Sequence, residues 1–190
     1  VLLEVLARFT RALRESPAVN QRAGVSARFA IAGAETVAAS ARHRAAVSGE
    51  DPVARLVDLE AAVDVMGGKV EFEPGEEGRE WELLEYILRT AIAGAVRRSV
   101  REIDFAPLIA ALDGTRTIST GEHVTAAQFL AGLPDLDGAT LYDDLTAAFA
   151  PENGAGSDGH RAAAIELGIE SLYLSRKISK DSGEGETIYG

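Results

Sequence analysis

Arg28 is the residue in this chain best placed by type and spacing to do chemistry. It follows Ser26, a good N-cap, and so falls in the first turn of a predicted helix. A cation there opposes the helix dipole and makes most sense beside an anion. Free N–H groups at a helix start bind phosphate, and an arginine adds a bidentate, charge-assisted clamp. Taken alone, Arg28 reads first as a solvated surface arginine with its charge in water. Arg22, on the preceding loop, is a second arginine close to this helix start.

Other chemistry is absent from the sequence. No G-x-x-x-x-G-K-[ST] phosphate loop is present, because Gly67-Gly68-Lys69 has neither the spacing nor the hydroxyl residue. His43, His123 and His160 lack metal-ligand spacing and are expected on the surface. The acidic group Glu71, Glu73, Glu76, Glu77, Glu80, Glu82 and Glu85 lacks the spacing of a calcium loop and reads as a solvated turn and helix start. Asp143 and Asp144 are adjacent on a helix and do not converge. No catalytic residue and no metal site is assigned.

Composition narrows the classes further. The formal net charge of -11 excludes wholesale binding to nucleic acid or anionic lipid. Without cysteine there is no disulfide and no thiolate chemistry, which fits a cytoplasmic protein. No apolar stretch is long enough to span a membrane. The chain opens on Val1-Leu2-Leu3, so we expect a fragment of a longer protein.

The elements that must position Arg28 read as helices nearly throughout. Leu2, Val5, Leu6, Phe9 and Leu13 form one face of a helix over about 1–14, ended by Ser16-Pro17. Ala30, Ala34, Ala38 and Ala41, with Val37 beside them, form a small-residue stripe on a helix of about 27–47. Asp51-Pro52 is expected to start a third helix with Leu56, Leu59, Val63 and Met66 buried, and Gly67-Gly68 to stop it. Residues 69–73 alternate and suggest a short extended piece. The longest helix is predicted over about 79–101, with Arg97, Arg98 and Arg101 in its last turns. Shorter helices follow near 105–112, 125–133 and 139–149, then a mobile loop from Pro151 to Gly159 and a helix of about 160–177. The polar tail from about 178 is expected to fray. Arg42, His43 and Arg44 read as a helix end complementing the dipole, and Trp81 and Tyr86 as core.

The stretch Ser16-Pro17-Ala18-Val19-Asn20-Gln21-Arg22-Ala23-Gly24-Val25-Ser26-Ala27-Arg28 resembles the segment that opens the sensor-2 helix in the magnesium-chelatase I subunit and MoxR-type AAA+ ATPases. Leu6-Ala7-Arg8-Phe9-Thr10-Arg11 looks like the helix leading into it, and Asp58 to Val63 with Gly68 to Glu71 like the end of the lid. The resemblance covers about residues 1–72. It implies an all-α fold, a AAA+ lid bundle over 1–72 followed by a helical C-terminal extension over 73–190. It also implies that Arg28 senses nucleotide and that Arg22, on the loop before it, faces the nucleotide, a neighbouring subunit or water. ATP and Mg2+ would belong to the parent protein only, with the AAA+ core supplied upstream, a homo-oligomeric ring, and a von Willebrand A-type partner for remodelling or metal insertion. The alternative is a helical adaptor, a protein-interaction module without nucleotide.

Overall fold

The computed structural model describes every residue except Gln21, Ala23, Gly114, Thr115, Glu184 and those at 150–155. The loop expected from Pro151 to Gly159 therefore falls mostly outside the described residues, as do two positions of the segment before Arg28.

The chain runs α1 (Leu2–Glu15), α2 (Ala27–Ser48), α3 (Leu56–Gly67), α4 (Glu80–Val96), α5 (Ala106–Leu112), β1 (Ile118–Gly121), α6 (Ala126–Ala131), α7 (Leu141–Ala148), α8 (Asp158–Leu174), β2 (Lys180–Gly183) and β3 (Glu186–Tyr189). It is mostly helical but not all-α. The three strands form one antiparallel sheet in the order β1-β3-β2. Each strand is four residues long, too short for alternation to stand out from a helical background. Among the described residues no helix is long and apolar enough to cross a membrane.

Helices α1 to α4 share one apolar core built on Val5, Leu6, Phe9, Leu59, Met66 and Ile92. Their buried faces follow the spacing of three and four that the sequence shows. On α2 the buried stripe is Phe29, Gly33, Val37 and Ala41; Ala41 and Val37 are buried as expected, while Phe29 and Gly33 take the places expected of Ala30 and Ala34. Gly33 explains the difference. A Cβ there would lie 2.6 Å from the Met66 sulfur, so the missing side chain is what lets α3 approach. α4, expected over 79–101 as the longest helix, has 17 residues against the 22 of α2; it packs back on α1 and ends at Val96, leaving Arg97, Arg98 and Arg101 in the turns that follow.

Residues 108 onward build a second core from Leu108, Ile118, Phe129, Leu145, Ile165 and Tyr189. α8 belongs to both. It sends Leu167 into the first and Ala162, Ile165, Ile169 and Leu172 into the second. A helix covered on all sides is buried around its circumference, and α8 is buried without a break from Ala164 to Leu172.

The C-terminal segment is ordered as a hairpin rather than frayed. β3 pairs with β1 on one side and β2 on the other, with Tyr189 opposite both Ile118 and Lys180. Gly121 sits at φ 146, where a Cβ would meet the Gly185 carbonyl oxygen at 2.2 Å, so only glycine allows the hairpin turn to close on β1. Tyr189 is 1 % exposed. Tyr189→Ala should therefore lower unfolding free energy by about 3–5 kcal/mol, as for other large buried aromatics. Urea denaturation followed by circular dichroism measures it, and a loss below about 1 kcal/mol would mean the tail is not part of the core.

Candidate functional site

The helix start that carries Arg28 is held from two sides. The loop before it pairs with the segment after α3: Asn20 N donates to Glu71 O at 2.8 Å, and Glu73 N to Ala18 O at 2.9 Å, around a Val19–Phe72 bridge. This is where the expected extended piece over 69–73 lies. Arg14, at the end of α1, donates from Nε to the Val25 carbonyl. Gly24, at φ 66, turns the chain toward α2. Ser26 is the N-cap, but its side chain makes no capping hydrogen bond.

Arg28 and Arg22 are both exposed. Arg22 N donates to Asn20 Oδ1 at 2.9 Å, a local turn. Among the described residues, neither guanidinium has a partner and no contact joins the two. The structure thus presents Arg28 as a free cation beside an uncapped helix start. His43, His123 and His160 are all exposed. No cluster of three or more His, Cys, Asp or Glu among the described residues could hold a metal ion.

The most organised polar chemistry lies inside the molecule, on residues the sequence does not single out. Arg55, 1 % exposed, enters the space between α3, α8 and the sheet. Its Nε donates to both Glu166 oxygens at 3.1 Å, Nη1 to the Val124 carbonyl at 2.6 Å, and Nη2 to Thr120 Oγ1 at 3.1 Å and to Glu166. Thr120 Oγ1 donates to Glu166 as well. The guanidinium carbon lies 5.7 Å from the centroid of the Phe129 ring, a cation–π contact.

Asp58 joins this group to a second arginine. One of its oxygens accepts from Arg55 N at 2.8 Å, capping α3, and from Arg44 Nη2 at 2.9 Å. The other accepts from Ser40 Oγ at 2.8 Å. This explains why α3 starts at Leu56 and not at Asp51-Pro52. The cap is a buried carboxylate three residues into the element. It also corrects the expectation for Arg44. That side chain is buried, held by Asp58 and by the Val53 carbonyl at 2.7 Å, instead of serving an exposed helix end. Glu50, 3.8 Å from Arg44, accepts from Ala126 N at 2.6 Å and so ties the end of α2 to the start of α6.

One turn along α8, Glu170 accepts from Tyr189 Oη at 2.6 Å and from Lys180 Nζ at 3.0 Å. Lys180 also reaches Glu60 at 3.2 Å and lies 5.6 Å from the ring centroids of both Tyr173 and Tyr189. Burial pulls the Lys180 ammonium down, but Glu170 and Glu60 outweigh it and hold it above its ordinary value. Burial, then the Glu170 charge, push the Tyr189 phenol well above its ordinary value. Among the described residues no buried side-chain polar atom lacks a hydrogen-bond partner. These groups are occupied with one another, with no nucleophile poised against a base, so their chemistry is cohesion across the two cores.

One signal could have found them. Glu166 and Glu170 are one helical turn apart in a segment, Ala162 to Leu172, that is apolar on every side. Carboxylates in such a helix must meet cations in the interior. Which cations those are depends on chain segments distant in sequence, and spacing does not reveal them.

No protein-family model matches the chain, and neither a curated protein nor a solved structure is significantly similar to it.

Removing one partner of a buried pair strands the other. Arg55→Met should cost about 3–5 kcal/mol in urea unfolding, whereas Arg55→Met combined with Glu166→Met should recover a large part of that. A double variant as unstable as the single would show that the pair itself contributes the stability. The hairpin also makes a pH prediction. Lys180 and Tyr189 both have folded values above their ordinary 10.5 and 10.0, so their stabilisation is full below pH 10 and is lost as pH rises beyond it. Thermal unfolding between pH 8 and pH 11.5 should show this fall, and Tyr189→Phe should make it shallower.

Proposed function

We propose that this chain is the lid and regulatory region of a AAA+ ATPase resembling the magnesium-chelatase I subunit, and that Arg28 reads the nucleotide phosphates. One observation carries the reading. Among the described residues Arg28 is an exposed, unpartnered cation in the first turn of a 22-residue helix whose N-cap side chain makes no capping hydrogen bond. That combination favours an anion. The pinned loop before the helix adds support, because a sensor must hold its position relative to the body that it moves.

In the complete protein, ATP and Mg2+ would bind to the upstream core, where they supply the hydrolytic chemistry. Arg28 would contribute positioning and charge stabilisation, not proton transfer. Its guanidinium would follow the charge on the phosphates, and the helix behind it would carry that change into the α1 to α4 core. Arg22, on the same loop, would face the nucleotide or the neighbouring subunit of a ring. A von Willebrand A-type partner and a cytoplasmic setting complete this reading, with remodelling or metal insertion as the work done.

A second reading, a helical adaptor without nucleotide, is favoured by a different observation. Trp81 and Tyr86, expected in the core, are 56 % and 68 % exposed on α4. Aromatic residues of this kind anchor protein interfaces. The two readings separate on the sequence upstream of Val1, where a phosphate loop followed by a strand ending in paired acids would accompany the first.

Arg28→Ala, made in the complete protein, should lower ATP turnover about ten- to hundredfold, the worth of one charge-assisted hydrogen bond. Circular dichroism should be unchanged, since the side chain is exposed. Full turnover in the variant would end the sensor assignment.

A further inference from the structure

The cleft between α3, α4 and β2 has a volume of about 530 Å3 and combines an exposed indole with carboxylates. Five carboxylates and two cations line it. Both cations are already taken. Lys180 lies between Glu60 and Glu170, and Arg89 pairs with Glu85 on its own helix. Arg89 also lies 5.5 Å from the centroid of the Tyr173 ring. What remains is acidic. Asp64 has no hydrogen bond or ion pair among the described residues, and Glu82 has only a 3.9 Å approach from Arg79, both ends of which are exposed. Trp81 stands on the same wall. Asp64 is exposed, and slight desolvation by the cleft wall holds its carboxyl above its ordinary value.

The surface continues past Arg89. A second cleft, of about 440 Å3, shares Arg89 and Tyr173 with the first and is bordered by Tyr86. The outer face of α4 therefore presents two exposed aromatics flanking a row of acid, with no described segment covering them.

We propose that this face of α4 is a docking surface for a basic segment of a partner protein, with an arginine or lysine side chain entering the cleft between Trp81 and the carboxylates of Asp64 and Glu82, in place of the long, exposed approach of Arg79 to Glu82. The charge selects the occupant. An acidic partner would meet uncompensated carboxylates, and a purely apolar one would bury them without partners. A guanidinium gains both kinds of contact that the cleft leaves open, an ion pair and a cation–π contact on the indole. The inference is independent of the nucleotide reading, because Arg28 lies on α2 and takes no part in it.

Trp81 is the single tryptophan of the chain, so its fluorescence reports the cleft directly. Titration of the 190-residue chain with a tetra-arginine peptide should give a saturable change in intensity and wavelength. Asp64→Asn combined with Glu82→Gln should weaken that binding about tenfold or more, while Glu122→Gln, an exposed carboxylate away from the cleft, should change it less than about twofold. A tetra-glutamate peptide should give no saturable signal. Three results would overturn the proposal. One is the absence of saturable binding. Another is an equal loss in the Glu122→Gln control, which would reduce the effect to the net charge of the chain. The last is concentration-dependent self-association that shifts Trp81 fluorescence without peptide, which would assign the face to a second copy.

Discussion

Inside a protein a guanidinium is stable only where nearly all its donors find acceptors and its charge finds an opposite. Arg55 meets both conditions with groups from widely separated parts of the chain: Glu166 on α8, Thr120 on β1 and the carbonyl of Val124 before α6. The rest of the molecule depends on this. If α8 turned by one residue, Glu166 would leave the guanidinium and Glu170 would leave Tyr189 and Lys180. If the sheet slipped by one position, Thr120 and Tyr189 would face the wrong way. Apolar packing alone tolerates such errors, because one leucine contact resembles another. The charged groups do not, and they fix the register of α8 against α3 and of the hairpin against α8.

The same groups explain how two small cores behave as one body. Each of the two cores has only a few helices to cover it. α8 lies between them, and its polar residues bridge what its apolar residues separate. Asp58 serves three tasks at once, as the cap of α3, the partner of Arg44 and the acceptor for Ser40. Its loss would therefore propagate farther than a count of its bonds suggests, since linked hydrogen bonds strengthen one another and fail together.

The sequence is most legible where structure is local. The buried faces of α1, α3 and α4 follow directly from the spacing of Val5, Leu6, Phe9 and Leu13, of Leu59, Val63 and Met66, and of Leu84, Leu88, Ile92 and Val96. What it obscures is long-range. β1 and β3 pair across more than sixty residues of chain, and neither has enough length to announce a strand. The tail looks loose because it is polar and rich in glycine, yet Tyr189 and Lys180 acquire their burial from α8 and α3. Arg44 looks like a helix-end cation because its partner, Asp58, sits on the next helix. Trp81 and Tyr86 are expected inside by residue type, but Tyr86 falls on the side of α4 opposite Leu84 and Leu88, and Trp81, on their side, stands in the first turn at the edge of the core. Geometry along the helix, not hydrophobicity, decides their exposure. For the candidate site, Arg28 is legible as a first-turn cation from Ser26 alone. Its lack of a partner is a property of the folded surroundings.

A division of labour follows from where charge is spent. In the interior every cation is matched, and the matches are redundant. Glu166 takes three donors of Arg55 and Thr120, and Glu170 takes both Lys180 and Tyr189. On the surface charges also pair, as Arg8 with Glu4 and Arg11 with Glu15, but among the described residues Arg28 at one helix start and Asp64 beside an exposed indole have no partner. An unmatched charge on a surface costs little, because water solvates it, so stability gives no reason to place or to remove it. Stability does give a reason to keep such groups away from the buried arginines and glutamates, where a stray charge would compete for partners. The interior network thus sets the frame, and Arg28 and Asp64 sit on separate faces of it. Each can meet a partner without disturbing the contacts that hold α8 in register.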